Sequence, residues 1–175
     1  MARELWIFAL VALVHRAFLQ VVSMSHERQL RARGAVEHGA ANSRLLAILH
    51  VTFFAGAMAE GWRWGPVMTG HGQVGAALYL LSVIVLWEVV RELGPLWTVK
   101  LYVAPDHELR RGWLLRTFRH PNYWLGLLPE LLGLALVFRA WWTLGLVGPL
   151  YAGSLYVRVR EEERVMGEQV EGWGR

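Results

Sequence analysis

Five apolar segments separated by short polar connections are the feature that most restricts how this chain can fold. They cover approximately residues 5–22, 45–62, 74–90, 124–138 and 141–157. A helix needs about 20 apolar residues to cross roughly 30 Å of hydrocarbon, and only the fourth segment falls well short of that length. With 55% hydrophobic and only 18% charged residues, the chain is too apolar for a soluble domain of this size. We expect an all-α integral membrane protein with about five transmembrane helices.

The short connections between these segments indicate a single membrane-embedded domain over residues 1–175. Only Arg139 and Ala140 separate the last two segments, so we predict that these segments form a tight helical hairpin. Pro129 removes one helical hydrogen bond from the fourth segment and is expected to kink it beside Glu130. An acid within an apolar segment indicates either a functional group or a structural partner, here of a Trp N–H or of Arg139.

Basic residues are distributed asymmetrically among the connections, and this asymmetry predicts the orientation. They follow the first, third and fifth segments, whereas few lie on the opposite side. By the positive-inside rule, the amino terminus faces out and the carboxyl terminus faces the cytosol. Topology and contacts with anionic membrane lipids account for the net charge of +4, so we expect no nucleic-acid partner.

Several types of site can be set aside from the sequence. The chain has no cysteine, which excludes disulfides, thiolate metal ligands and cysteine nucleophiles. Its seven His residues show no His-x-x-x-His pair, so we expect no metal site. Residues 70–75 match the pattern G-x-G-x-x-G, but no strand is predicted before them, and we interpret the match as chance.

Two clusters of ionisable residues lie at the ends of apolar segments. Residues 119–123 read Arg-His-Pro-Asn-Tyr, and residues 158–164 read Arg-Val-Arg-Glu-Glu-Glu-Arg. The predicted hairpin would bring the two clusters together. A basic membrane edge explains most of the Arg residues. It does not explain a rigid His-Pro-x-Tyr beside a pair of Glu residues, and unpaired charge beside lipid is costly. We therefore favour a binding site for a polar group.

The first cluster forms a stiff entry to the fourth helix. Pro121 fixes its own φ and disfavours the α region for His120. Free backbone N–H groups at such a helix start suit an anionic group, such as a ligand carboxylate. His120 and Tyr123 are placed to form hydrogen bonds with a heterocycle or to stack on it.

The second cluster permits two interpretations. Arg158 and Glu162 are four residues apart and share a helical face, so they can pair with each other. Alternatively, Glu162 accepts hydrogen bonds from ribose hydroxyls while Arg158 faces an acidic acceptor. The hairpin favours the second interpretation because it brings this face close to His120.

Several motifs together resemble the isoprenylcysteine carboxyl methyltransferase family. The matching positions are residues 97–100, 105, 107–112, 119–123 and 162–164. The likeness is strongest to a small bacterial branch implicated in methylating alkylpyrones, which residues 27–28, 34–37 and 49–50 also resemble, so it extends over most of the chain. It implies S-adenosylmethionine as methyl donor, bound on the cytosolic side within about residues 95–170. It also implies a lipophilic acceptor that arrives from the bilayer, here a bacterial inner membrane.

The resemblance also assigns roles to individual residues. Arg158 matches the arginine placed at the acceptor and is therefore the catalytic candidate. Seven further residues match positions that contact the cofactor in the family. These are Lys100, His107, Leu109, Arg110, His120, Tyr123 and Glu162.

The expected activity is that of an S-adenosylmethionine-dependent O-methyltransferase. Its acceptor would be a lipophilic acidic hydroxyl, such as a polyketide-derived alkylpyrone or alkylresorcinol. Three alternatives remain open at this point. They are carboxyl methylation of prenylated, cysteine-like substrates, an NADPH-dependent membrane reductase of the sterol type, and a non-enzymatic membrane scaffold.

Overall fold

A computed structural model describes residues 2–65, 68–105, 109–110, 112–170 and 173, and helices dominate it. Two long helices precede a third that ends in a 3₁₀ turn, and the remaining helices follow a short strand. The helices are α1 (Ala2–Ala32), α2 (Ala40–Trp64), α3 (Gly70–Leu93), α4 (Trp113–Thr117), α5 (Leu128–Phe138) and α6 (Trp141–Gln169). The strands are β1 (Val36–His38) and β2 (Leu101–Val103).

Three helical stretches in the described part of the chain are long and apolar enough to cross a membrane. They are Arg3–Ala32, Ala40–Trp64 and Gly70–Leu96. The apolar helix Asn122–Phe138 is shorter, as its sequence indicates. The predicted helical membrane protein is therefore confirmed in its class, whereas the count of five crossings stays a prediction. The G-x-G-x-x-G match lies in the first turns of α3, which follow an extended Thr69 rather than a β-strand.

A two-stranded ribbon is the exception to the all-α prediction. β1 and β2 pair antiparallel, with Val36 opposite Val103 and His38 opposite Leu101. Each strand has only three residues, too few for an alternating pattern to stand out in the sequence. The ribbon fastens the connection after α1 to the connection after α3.

Helix α5 packs mainly on α3 through two glycines. A Cβ atom on Gly133 would lie 2.6 Å from the backbone oxygen of Gly75 and 2.8 Å from the backbone nitrogen of Tyr79. Any larger residue would therefore force the helices apart. Small residues allow this close approach between membrane helices, where van der Waals contact drives association.

Helix α6 packs mainly on α2, and both ends of this contact carry polar bonds. Glu60, near the end of α2, accepts hydrogen bonds from the backbone N–H groups of Trp142 (3.1 Å) and Thr143 (2.6 Å). The carboxylate thereby caps the first turn of α6 from a neighbouring helix. At the other end, the Ser154 hydroxyl donates to the side-chain oxygen of Asn42 at 2.7 Å.

The connection between α5 and α6 is as short as the sequence predicts. Arg139 adopts a left-handed conformation (φ 55°) and ends α5, and Ala140 precedes α6. However, α5 rests mainly on α3 and α6 mainly on α2, so the two helices contact each other less than they contact these neighbours. The tight hairpin as such stays a prediction.

A π-helical turn over Asn122–Leu127 leads into α5. The Leu128 N–H bonds to the carbonyl of Tyr123, five residues earlier, and Pro129 follows directly. Proline has no N–H, so the register of the helix changes where a regular hydrogen bond is lost. The irregularity expected at Pro129 thus takes the form of a widened turn on its amino-terminal side.

Glu130 forms a buried ion pair with Arg16 of α1, and its Oε1 accepts from the Arg16 Nε at 2.6 Å. The expected partners, a Trp N–H or Arg139, are therefore wrong. Glu130 is completely inaccessible to solvent, whereas the Arg16 side chain is 18% exposed. Because 114 positions separate the two residues, the pair fixes α1 against α5 in a way that no local pattern indicates.

Loss of one member of this pair should destabilise the fold more than loss of both. We expect Glu130→Ala to lower the free energy of unfolding by about 3–5 kcal/mol, because it leaves a buried guanidinium without its counter-charge. The double variant Arg16→Met/Glu130→Leu should recover most of that loss. Thermal unfolding in detergent micelles compares the stability of the single and the double variant. Equal losses of stability in these two variants would contradict the interpretation.

Candidate functional site

One cavity gathers almost all of the residues that the sequence marks as functional. It lies where the end of α3, the connection after it, the π-helical turn and the second half of α6 meet. The predicted residues that line it are Lys100, Leu109, Arg110, His120, Tyr123, Arg158 and Glu162. The remaining predicted residue, His107, lies outside the described residues.

The phenol of Tyr123 connects the two ionisable clusters. Its hydroxyl donates to the Glu162 Oε2 at 2.5 Å and accepts from the Arg158 Nε at 3.2 Å. Arg158 and Glu162 therefore do not form the direct pair that one interpretation of the sequence proposed. Instead they are bridged by a residue from the other cluster, which brings the two clusters together as predicted.

His120 faces two acids of α6. Its Nδ1 lies 3.5 Å from the Glu162 Oε1, and its Nε2 lies 3.3 Å from the Glu163 Oε1. Its ring is nearly parallel to that of Tyr123, with 5.9 Å between the ring centres. Although burial lowers the pKa of His120, the contacts with Glu162 and Glu163 outweigh it and raise that pKa above its usual value.

The pKa of Glu162 moves in the opposite direction. Burial raises the pKa of Glu162. The hydrogen bonds from His120 and Tyr123 and the positive charges of His120 and Arg158 lower it by more, so the net pKa is below its usual value. Glu162 is therefore ionised at neutral pH and can accept hydrogen bonds from a ligand.

The start of the π-helical turn offers fewer free donors than the sequence suggested. The N–H groups of Tyr123 and Trp124 both bond to the carbonyl of His120, at 3.1 and 3.2 Å. The prediction of free N–H groups at this helix start is therefore wrong for these two residues. Besides Arg158, the positive side chains on the cavity wall are Lys100, Arg110 and Arg119, and Arg119 lies 3.5 Å from a carboxylate oxygen of Glu163.

Arg158 is buried, with 3% of its surface exposed, and three neutral oxygens hold its guanidinium. Besides Tyr123, the Ser43 hydroxyl accepts from its Nη1 at 2.7 Å, and the Val99 carbonyl accepts from its Nη2 at 3.3 Å. No carboxylate oxygen of the described residues lies within 4.0 Å of this guanidinium. Its hydrogen-bond partners are therefore neutral, and Glu161 and Glu162 act on its charge only from beyond ion-pair distance, so the guanidinium can still form a direct pair with an anionic ligand.

Lys100 is held by acids from the amino-terminal part of the chain. Its Nζ lies 3.2 Å from the Glu27 Oε2 and 3.8 Å from the Glu37 Oε2. Glu27 is buried and also accepts from the Ser23 hydroxyl. The polar connection after the first apolar segment is helical rather than a loop, because α1 continues to Ala32, and its Arg28, Arg31 and Arg33 side chains are exposed whereas Glu27 is buried.

Helix α4 closes one side of the cavity and is fixed from α3. The Glu92 carboxylate accepts from the N–H groups of Leu114 (3.1 Å) and Leu115 (3.2 Å), and Glu88 accepts from the Trp113 indole at 2.9 Å. Leu115 faces the cavity and adds an apolar wall.

Two contacts of the site were missed in the sequence. Ser43 lies in the first turn of α2 and nothing in its neighbourhood marks it as functional. Glu163 has no individual role in the sequence prediction. Its position directly after Glu162, in a run of three acids, is the one signal that could have suggested its contact with His120. Both contacts depend on how distant helices pack.

Comparison with known proteins connects this geometry to a family. The sequence pattern of the isoprenylcysteine carboxyl methyltransferase family matches residues 75–168, which include His120, Tyr123, Arg158 and Glu162. The chain belongs to this family. It is therefore related to membrane methyltransferases that use S-adenosylmethionine.

Two relatives of similar length match most of the chain. A protein of Haemophilus influenzae described as uncharacterized is 40% identical over 146 residues, which cover 83% of this chain and 84% of that protein. The uncharacterized protein YpbQ of Bacillus subtilis is 30% identical over 164 residues, covering 93% and 96%. No solved structure matches the chain.

The family match begins within α3 and leaves out α1, β1 and α2. Three residues that hold the charged groups of the cavity, Glu27, Glu37 and Ser43, lie in this preceding part. In this member of the isoprenylcysteine carboxyl methyltransferase family, the first helices thus complete the site that the matched segment forms.

The pKa values at His120 and Glu162 predict how stability depends on pH. A raised pKa of His120 stabilises the fold fully below pH 6.5, and this contribution is lost as the pH rises through the raised value. A lowered pKa of Glu162 stabilises the fold above pH 4.5 and is lost on acidification. The natural protein should thus exceed His120→Gln in melting temperature most between about pH 4.5 and pH 6.5, and this difference should shrink at alkaline pH. Melting temperatures from pH 5 to 9 test this, and an advantage that grows with pH would contradict it.

Proposed function

We propose that this protein transfers a methyl group from S-adenosylmethionine to an anionic oxygen of a lipophilic acceptor. The observation that carries the proposal is the cavity in which Glu162, His120, Tyr123 and Arg158 meet at the ends of apolar helices. The proposal includes a cytosolic position for this cavity in a bacterial inner membrane.

The chemistry of the cavity wall fits the cofactor. S-adenosylmethionine supplies an activated methyl group on a sulfonium, together with ribose hydroxyls, a carboxylate and an adenine ring. Glu162 is an ionised acceptor for hydroxyls, Arg110 is a cation for a carboxylate, and Leu115 offers an apolar surface for a ring. Lys100 is a second cation on the wall, and a ligand carboxylate would share it with Glu27 and Glu37. His120 and Tyr123 hold Glu162 in place through the contacts described above.

Arg158 is the residue proposed to receive the acceptor. Its buried guanidinium is a fixed positive charge that can bind an oxyanion through charge-assisted hydrogen bonds. A carboxylic acid or an acidic enol is already ionised at neutral pH, so no strong base is required. The protein then contributes mainly by positioning its ligands, an effect that is worth roughly 7–11 kcal/mol at best.

Two kinds of acceptor present such an oxygen on a lipophilic molecule. The family's name describes a prenylated carboxylate, whereas the resemblance to the bacterial branch suggests an alkylpyrone or alkylresorcinol. Of these two, the phenolic alkylresorcinol has a pKa of about 10 and would have to lose its proton at the site. We propose the second kind for this chain and retain the first as its alternative. Both would approach along the apolar part of the cavity, where Val89, Leu93 and Leu96 line the wall.

Binding of S-adenosylhomocysteine should raise the melting temperature of the purified protein. A ligand at 100 times its Kd stabilises the folded state by about 2.7 kcal/mol. Glu162→Gln should weaken binding at least about tenfold, because a hydrogen bond to a charged group contributes about 1.5–3 kcal/mol. Glu168→Gln, on the same helix but outside the cavity, is the matched control and should bind normally.

The same titration with NADPH separates the rival classes. Stabilisation by NADPH instead of S-adenosylhomocysteine would indicate a membrane reductase and would overturn the proposal. A scaffold would be the better interpretation if neither compound raised the melting temperature of the natural protein, and if Glu162→Gln and His120→Ala responded to both compounds as the natural protein does.

Cells that contain the protein should accumulate a lipid that is one methyl group heavier than its precursor. We expect mass spectrometry of lipid extracts to show this shift in a phenolic or pyrone lipid, and to show none in cells that express Arg158→Ala. Purified protein should also methylate a 4-hydroxy-6-alkylpyrone with labelled S-adenosylmethionine. Methylation of N-acetyl-S-farnesylcysteine alone would favour the carboxylate alternative.

A further inference from the structure

The Arg158 guanidinium is fixed at three points, and one of them comes from outside the segment that defines the family. Tyr123 and Val99 belong to residues 75–168, whereas Ser43 belongs to the first turn of α2. An arginine has five N–H groups. The bonds to these three residues use one N–H on each guanidinium nitrogen, and in the described structure one N–H on each terminal nitrogen remains for a ligand.

We propose that Ser43 is a positioning residue for methyl transfer, and this inference rests on the proposed function. Ser43 forms the shortest of the three bonds, 2.7 Å to the Arg158 Nη1, and is itself 5% exposed. The bond sets the rotation of the guanidinium plane and thereby the direction of the remaining N–H groups. Ser43 has this role without contact with the cofactor, since it is not among the residues that line the cavity.

The chemistry of Ser43 suits this role better than a carboxylate would. A carboxylate at this distance would neutralise Arg158 and reduce its attraction for an anionic acceptor. A hydroxyl oxygen accepts the hydrogen bond and leaves the positive charge in place. Without Ser43, the long arginine side chain would regain rotational freedom, and the acceptor oxygen would be held less accurately.

Neighbouring residues provide a matched control for the packing of α2 on α6. Asn42 donates to the carbonyl of Ser154 at 3.0 Å and accepts from the Ser154 hydroxyl at 2.7 Å. Asn42→Ala therefore removes polar contacts between the same two helices without removing a partner of Arg158. Any effect of Ser43→Ala that is only structural should appear in Asn42→Ala as well.

The test compares Ser43→Ala, Ser43→Thr and Asn42→Ala in full-length protein with the alkylpyrone and N-acetyl-S-farnesylcysteine. We expect Ser43→Ala to lower kcat about tenfold for whichever compound the natural protein methylates, which is the typical cost of a lost hydrogen bond to a charged group. The Kd for S-adenosylhomocysteine should stay nearly unchanged, and the melting temperature should fall by no more than it does in Asn42→Ala, which loses buried polar contacts between the same helices. Ser43→Thr should restore most of the rate, and Asn42→Ala should remain within about twofold of the natural protein.

Three results would overturn the inference while leaving the proposed function intact. They are full activity of Ser43→Ala, an equal loss of rate in Asn42→Ala, and a parallel loss of affinity for S-adenosylhomocysteine in Ser43→Ala. If the natural protein binds no S-adenosylhomocysteine and methylates neither compound, the proposed function fails first, and the role of Ser43 fails with it.

Discussion

The hydroxyl group of Tyr123 is the contact on which the arrangement of the cavity depends. It donates to Glu162 and accepts from Arg158, so one neutral group stands where the carboxylate and the guanidinium would otherwise form a direct ion pair. Both charges then remain available, one for hydroxyl donors and one for an anion. The π-helical turn helps to determine where this hydroxyl lies, because Tyr123 is its second residue and its widened hydrogen bond runs from the Leu128 N–H to the Tyr123 carbonyl.

The first helices support this arrangement from the opposite side of the cavity. Ser43 holds Arg158, and Glu27 and Glu37 hold Lys100, although all three precede the segment that matches the family. The ion pair between Arg16 and Glu130 joins α1 to α5 within the apolar interior. Breaking it would thus loosen the part of the fold that carries these supports as well as lower stability.

Much of the site could be predicted because its residues occur in two compact clusters with unusual composition. His120, Tyr123, Arg158 and Glu162 stood out as charged or rigid groups at the ends of apolar runs, and all four line one cavity. Their bonding partners could not be predicted in the same way. Arg158 and Glu162 share a helical face, which favours a direct pair, but the packing of the π-helical turn inserts Tyr123 between them.

The sequence by itself determined that the chain is helical and apolar enough for a membrane, because the hydropathy and the length of each apolar segment follow directly from the order of its residues. It also determined which ionisable residues are costly to bury and therefore need partners. Only the tertiary structure decided what those partners are, including Arg16 for Glu130 and Ser43 for Arg158. The reason is physical: a hydrogen bond between helices depends on how each helix is rotated and how closely the helices approach. Contacts such as that of Gly75 with Gly133 set both, and they join residues too far apart in the sequence for a local pattern to predict.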